Sequence, residues 1–188
     1  MSGMTTPFPE TLAAAQRGDE SAFTALFRHT QPAVLRYLRV ISRDRAEDLA
    51  AETWLQVVRG LETFSGHEAA AFRAWVMSIA RHRWLDDQRS RGRRPEVVRF
   101  ELPEQAATGT DVAEAVDEIV STEAALELIA RLPRDQAEVV TLRFIADLDV
   151  ATTAALVGKE PGTVRVLAHR GLRRLETILR TGSRADQV

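Results

Sequence analysis

The chain has 188 residues, with 25 basic and 27 acidic side chains, a formal charge of −2 and no cysteine. That length fits one domain or two small ones, and the missing thiols exclude disulfides, a cysteine nucleophile and cysteine-ligated zinc or iron–sulfur centres. No run of eighteen apolar residues offers a membrane span, and residues 1–17 lack a basic start followed by an apolar block, so neither membrane insertion nor a secretory leader is expected and the location expected is cytoplasmic.

Charge is unevenly spread. Arg28 to Arg99 holds fourteen basic and nine acidic residues, net +5; Glu101 to Glu127 holds eight acids and no base, net −8; from Arg131 onward there are ten basic and seven acidic residues, net +3. Two basic blocks therefore flank an acidic spacer. Every basic residue but Lys159 is arginine, which suits phosphate and base-edge recognition; a G+C-rich genome gives the same bias.

Period-two runs and Asn-Gly or Asp-Gly hairpins are missing, so the expected fold is all-α. Gly18 and Asp19 separate a short first helix from a second over Glu20 to Ile41. Asp44 and Glu47 have the spacing of a capping box for a third helix, Arg45 to Glu62. Ser65-Gly66-His67 breaks the pattern before a fourth helix from Ala69 to Arg91, ended by Gly92 and Pro95. Pro95, Pro103 and Gly109 mark residues 95–111 as linker. A helical segment falls within Val112 to Arg131. Pro133 opens another helix to about Ala146. Asp149 caps a short helix to Val157, Gly158 makes a turn, and Pro161 starts a last helix ending near Arg180, with a disordered tail expected after Thr181.

Asp149 to Val157, the Gly158 turn and Thr163 to Leu179 have the proportions of a helix-turn-helix. At 100° per residue, Val164, Ala168, Gly171, Leu172, Leu175, Ile178 and Leu179 share a core face. The opposite face holds Val166, His169, Arg170 and Arg173, with Thr163 and Arg165 at its edges. A basic face on the second helix of such a motif fits a major groove: Arg165 and Arg170 suit phosphates or guanine edges, and Val166 a thymine methyl. The same face on an ordinary bundle helix is merely solvated.

The third helix packs Leu49, Ala50, Thr53, Trp54, Val57, Leu61 and Phe64. Its far side carries Asp48, Glu52, Leu55, Arg59 and Glu62, so Leu55 is an apolar residue centred on an acidic surface, the composition of a protein-docking face; single exposed leucines are also common. The fourth helix packs Phe72, Trp75, Val76 and Ile79 and turns Arg73, Met77, Arg81, Trp84, Gln88 and Arg91 the other way. Arginines interleaved with an aromatic can hold single-stranded or distorted DNA, though packing of Trp84 on another helix is the favoured alternative. The arginines of 89–94 read as a phosphate anchor or as a helix end favoured by the dipole.

His82 and Asp86 share a face at metal-pair spacing, but no third ligand is evident and a structural ion pair for Asp86 is the favoured reading. There is no P-loop, dinucleotide fingerprint or nucleophile elbow. No enzyme, cofactor or metal is expected.

The residues resemble the extracytoplasmic-function (ECF) sigma factors of bacterial RNA polymerase, within the sigma-70 family. GDESAFTALFRHTQPAVLRYLR (18–39) is similar to the start of that family's domain two, RAEDLAAETWLQVVRGLETF (45–64) to its polymerase-binding helix, and FRAWVMSIARHRWLDDQRSRGRR (72–94) to its promoter-melting, minus-ten-reading segment. LPRDQAEVVTLRFIADLDVATTAALVGKEPGTVRVLAHRGLRRLE (132–176) is similar to domain four, which reads the minus-thirty-five element. The two stretches in this order, around a variable linker, are far more specific than either alone.

The resemblance implies two small helical domains, 10–94 and 122–180, joined by an acidic flexible linker, 95–121, that threads toward the nascent RNA path. It implies that Asp48, Glu52, Leu55 and Arg59 dock on core polymerase. The loop Ser65-Gly66-His67, extending to Ala71, would capture a flipped minus-ten base, and Arg73, Arg81, His82, Trp84 and Arg91 would contact promoter strands. Thr163, Arg165, Val166, His169, Arg170 and Arg173 would face the minus-thirty-five groove. The partners implied are core RNA polymerase, promoter DNA and an anti-sigma factor. Two departures stand out: Val166-Leu167-Ala168-His169 replaces a common Ser-Arg-Leu-His run, which puts leucine where a basic contact is frequent and bars copying the promoter sequence of other members; and Ala51 stands where glutamine is frequent. The rival readings are a stand-alone dimeric helix-turn-helix regulator on a palindromic site, and a metal-dependent hydrolase using His82, Asp86 and Asp87.

Overall fold

The computed structural model describes residues 7–92 and 122–185, with side chains described to Arg91 and to Thr181. The expected linker, the first half of the segment expected to contain a helix before Arg131, and residues 1–6 lie outside the described residues. Among those described there is no strand. In chain order the helices are α1 (Phe8–Gln16), α2 (Glu20–Ile41), α3 (Ala46–Gly60), α4 (Ala69–Gly92), α5 (122–130), α6 (Arg134–Val140), α7 (Val150–Val157) and α8 (Pro161–Ala185).

Local chemistry accounts for most of the boundaries. Asp19 accepts hydrogen bonds from the Ser21 and Ala22 amides at 2.9 and 3.0 Å and starts α2, satisfying two of the free donors at a helix N-terminus. Asp149 does the same for α7 through the Thr152 amide at 2.7 Å. Gly158 ends α7 at φ +66°, a left-handed geometry that glycine adopts without strain. The expected capping box at α3 does not form. Arg45 stands at the N-cap with no side-chain cap bond, while Glu47 pairs with Arg39 and Asp44 with Arg91, both at 3.0 Å. Tertiary guanidinium partners win over a local amide. Short 3-10 turns, Arg43–Arg45 and Leu61–Thr63, flank α3 and shorten it relative to expectation. α6 passes into a π-helical turn, Thr141–Ile145, and α8 continues to Ala185, beyond the end expected for it.

The core of the first half is built by Leu26, Val34, Tyr37 and Leu38 of α2, Leu49 and Val57 of α3, and Phe72, Val76 and Met77 of α4, all essentially inaccessible. Each such side chain contributes about 1.5–3 kcal/mol by leaving water. Buried threonines are satisfied locally: Thr53 donates to the Leu49 carbonyl at 2.6 Å and Thr141 to that of Ala137 at 2.8 Å. The second half packs α6, α7 and α8 together, and α6 with its π turn lies across α2 and α4. Val139, Leu142, Ala146 and Leu148 therefore join the same apolar core as Val34, Tyr37 and Phe72. A smaller cluster of Ile129, Leu132, Ala137 and Val140 also takes in Val40 from α2.

This packing corrects one expectation. Met77, expected on the outward side of α4, is 0% exposed and belongs to the core, whereas Trp84, 2% exposed, packs beneath Arg134 as the favoured sequence reading has it.

Candidate functional site

Three surfaces collect the residues singled out in the sequence. The first is the outer face of α3. Leu55 is 58% exposed and Val58, one turn on, 56%. Asp48, Glu52 and Arg59 surround them, all exposed. Arg45 reaches Asp48 at 2.8 Å and Glu52 at 4.0 Å, which steadies the acidic rim. Two adjacent apolar side chains ringed by charge form an anchor-and-rim arrangement suited to a protein partner. Sequence projection found Leu55 and missed Val58; the i, i+3 spacing that joins them was the available signal.

The second surface is the turn between α3 and α4. Ser65 and His67 are exposed, and beside Ser65 opens a cleft of about 380 Å³ lined also by Gln56, Gly60, Thr63, Phe64, Trp75 and Ile79. Its shape is fixed by packing. Phe64 lies against Phe72 edge-on at 5.6 Å between centroids. A Cβ on Gly66 would fall 2.4 Å from the Phe64 ring, so glycine is what lets the chain pass there. From α1, the Gln16 amide nitrogen donates to the Leu61 and Phe64 carbonyls at 3.0 and 2.8 Å. Gln16 was not expected from the sequence to matter here.

The basic residues of α4 do not share one free face. His82 is exposed. Arg91 is spent on Asp87 and Asp44, each at 3.0 Å. Arg73 donates to the Ala146 carbonyl at 3.3 Å and the Asp147 carboxylate at 3.1 Å. Arg81 Nε donates to Glu138 Oε1 at 2.7 Å, and the Tyr37 hydroxyl donates to the same oxygen at 3.2 Å. Burial, and then the Glu138 charge, push the Tyr37 phenol well above its ordinary pKa. Trp84 lies under the Arg134 guanidinium, 4.3 Å from the ring centroid. Asp86 pairs with Arg89 at 3.0 Å, both side chains exposed. Asp87 contacts Arg45 at 3.6 Å as well as Arg91. His82, Asp86 and Asp87 thus do not assemble as a ligand set; among the described residues no group of three such side chains converges.

The third surface is the outer face of α8. Thr163, Arg165, Val166, His169, Arg170 and Arg173 are all exposed, Val166 at 47%. Val164, Ala168 and Gly171 point inward, as projected, and Leu167 packs on the core. Gly171 is required by close approach, since a Cβ there would meet Val140 at 2.6 Å. Arg173 is drawn to Glu176 at 3.5 Å, whereas Arg165 and Arg170 have no ion-pair partner among the described residues. Leu172 and Leu179, expected in the core stripe, are 43% and 56% exposed, because the second half of α8 extends past the helices that cover its first half.

Comparison with known proteins identifies the family. Residues 26–94 match the family model for Sigma-70 region 2, and residues 122–175 that for Sigma-70, region 4. The chain is 36% identical over 172 residues to the ECF RNA polymerase sigma factor BldN of Streptomyces coelicolor, covering 90% of this chain and 65% of BldN. It is 34% identical over 176 residues to the ECF RNA polymerase sigma factor ShbA of Streptomyces griseus, covering 87% of this chain and 91% of ShbA. The fold is similar to that of the sigma factor RpoE of Bartonella quintana, solved with the anti-sigma factor NepR, at a TM-score of 0.61 and 23% identity over 84% of this chain and 96% of that one. The chain belongs to the ECF sigma factors of the sigma-70 family, the transcription initiation factors that direct RNA polymerase to promoters.

Proposed function

We propose that the chain works as an alternative sigma factor through the three surfaces described, with 10–94 as the polymerase-binding and promoter-opening domain, 122–180 as the upstream DNA-reading domain and 95–121 as the acidic linker between them. Asp48, Glu52, Leu55 and Arg59, joined by Val58, dock on core polymerase. Ser65 lines the cleft that receives an unpaired base, with Gly66 and His67 following it in the same turn, and Arg73, Arg81, His82, Trp84 and Arg91 serve the separated strands. Thr163, Arg165, Val166, His169, Arg170 and Arg173 enter the upstream major groove. The exposed apolar pair on the acidic face of α3 carries this reading, because it suits a protein partner while the acidic rim would repel phosphate. It is also a natural target for an anti-sigma partner, which would cover the docking face. The reading contains no enzymatic step and places the protein where polymerase and DNA are, in the cytoplasm; among the described residues no helix is long and apolar enough to cross a membrane.

Each DNA contact is small and arginine-based, so isolated affinity is weak and salt-sensitive. Docking on polymerase fixes the separation of the two DNA-reading surfaces and supplies effective concentration. The test is run-off transcription from a genomic fragment library with purified bacterial core polymerase. Start sites that appear only with this chain, sharing upstream and minus-ten elements, support the function; an unchanged set of transcripts contradicts it.

A further inference from the structure

The turn between α3 and α4 is held from behind by Gln16. This residue ends α1 and lies before residues 26–94, the part of the chain that matches Sigma-70 region 2. Its side-chain amide nitrogen carries two hydrogens, and it donates to two carbonyls, that of Leu61 at 3.0 Å and that of Phe64 at 2.8 Å. Leu61 opens the 3-10 turn and Phe64 caps it. One nitrogen therefore ties both ends of that turn to α1.

Little else orients the chain there. The Phe64 amide donates to the Leu61 carbonyl at 3.2 Å, but from Ser65 to Glu68 no amide makes a backbone hydrogen bond among the described residues. Stacking on Trp75 fixes the Phe64 ring. The ring does not fix the peptide that follows it, which can still rotate about the soft bonds on either side. Gln16 settles that rotation. Phe64 and Ser65 line the cleft, whereas Gln16 and Leu61 do not. With the Phe64 carbonyl drawn toward α1, the trans peptide directs the Ser65 amide the opposite way, so the cleft side receives a hydrogen-bond donor. Turned over, the same peptide would offer the Phe64 carbonyl, an acceptor. Bases taken out of a stack are distinguished by the donors and acceptors along their edges. Exchanging a donor for an acceptor changes which base is preferred.

We propose that Gln16 is a positioning residue for base selection: it touches no DNA, and it fixes which side of the Phe64–Ser65 peptide the cleft presents. This rests on the reading that the cleft receives an unpaired base.

The test uses holoenzyme assembled from purified bacterial core polymerase and the full chain. The probes are fork-junction DNAs built on a promoter found by the run-off mapping, with each of the four bases placed in turn at every unpaired minus-ten position. Gln16→Met keeps the length of the side chain and removes the donor, and Gln16→Lys restores a donor. Leu12→Val disturbs the buried face of α1 and touches neither hydrogen bond. Ser65→Leu enlarges a residue of the cleft itself. The parent should prefer one base by about tenfold or more at one position. Gln16→Met should cut that preference by at least about threefold, the scale of one hydrogen bond, with other positions and the affinity for core polymerase unchanged. Gln16→Lys should stay close to the parent. Leu12→Val should lower the urea midpoint and leave the preference intact. A preference in Gln16→Met equal to that of the parent, lost in step with polymerase affinity, or lost as fully in Gln16→Lys or Leu12→Val, overturns the proposal. If Ser65→Leu removes the preference while Gln16→Met keeps it, the cleft reading stands and the role of Gln16 fails. If the parent shows no preference, or neither variant changes it, the cleft does not select a base and both readings fail.

Discussion

The rings of Phe64 and Trp75 are stacked, with centroids 4.8 Å apart and planes inclined by 27°. The stack ties the turn after α3 to the middle of α4, while Gln16 holds the same turn from α1. Ser65 therefore leaves a rigid support, as its proposed part in selecting an unpaired base requires. Phe64→Leu keeps the bulk and removes the ring, and should cost about 0.5–1.5 kcal/mol of the aromatic contact. Permanganate reactivity of promoter thymines should fall while affinity for core polymerase is unchanged. Equal loss of both would mean that the turn serves the whole domain and not the cleft.

Arg170 and Arg165 reach into solvent from α8, so their replacement by alanine should move stability by no more than about 0.5 kcal/mol. An arginine on a guanine edge is worth about 1–3 kcal/mol at one base position, and one on phosphate weakens all sequences alike and lowers the salt slope by about one. Promoter-variant binding with holoenzyme, at several salt concentrations, assigns each residue to one class. No effect of either replacement would remove the outer face of α8 from DNA recognition.

Gly158 sits at φ +66° with open space where a Cβ would point, so any cost of a side chain there is backbone cost. Gly158→Ala should destabilise by about 1–2 kcal/mol, and Gly158→Asn by less, because asparagine tolerates the left-handed region. Urea midpoints check both. Indistinguishable midpoints for parent and Gly158→Ala would mean that the α7–α8 turn relaxes away from this geometry.

The helices and the α7–α8 turn were legible because their causes are local. Apolar spacing marks α2 and α3, Asp149 caps α7, and glycine ends it. The exposed outer face of α8 was legible for the same reason, since one helix and its own core stripe define it. Three things were not. Asp44 and Glu47 have capping-box spacing, yet Arg91 and Arg39 claim them from other helices. Trp84 was expected to pack on another helix, but periodicity does not say that its cover is Arg134 of α6. Glu138 is an acid on the stripe that runs from Arg134 to Leu142, a position whose burial depends on a guanidinium more than fifty residues earlier in the chain. Local pattern reports which face of a helix is apolar, not which distant partner covers the other.

The Tyr37 hydroxyl gives a pH signature. Its folded pKa lies well above the unfolded value of 10.0, through burial first and then the neighbouring Glu138 charge. Above pH 10 the unfolded chain loses a proton that the native chain retains, so the native state binds more protons and stability falls as pH rises. The contribution is complete below pH 10 and is lost toward the folded pKa. Tyr37→Phe should flatten the decline in urea midpoint between about pH 10 and 11.5. The same slope in both proteins would show that Tyr37 is not held in this buried pair.

The central claim is that the outer face of α3 docks on polymerase. The measurement is the affinity of purified bacterial core polymerase for the parent chain and for a Leu55→Arg, Asp48→Arg double variant, with circular dichroism to show equal folding. Both positions are exposed, so the variant should keep its fold. The account predicts tight binding by the parent and at least a tenfold loss in the variant. Equal binding by the two would contradict the interface, and no binding by the parent would contradict the function built on it.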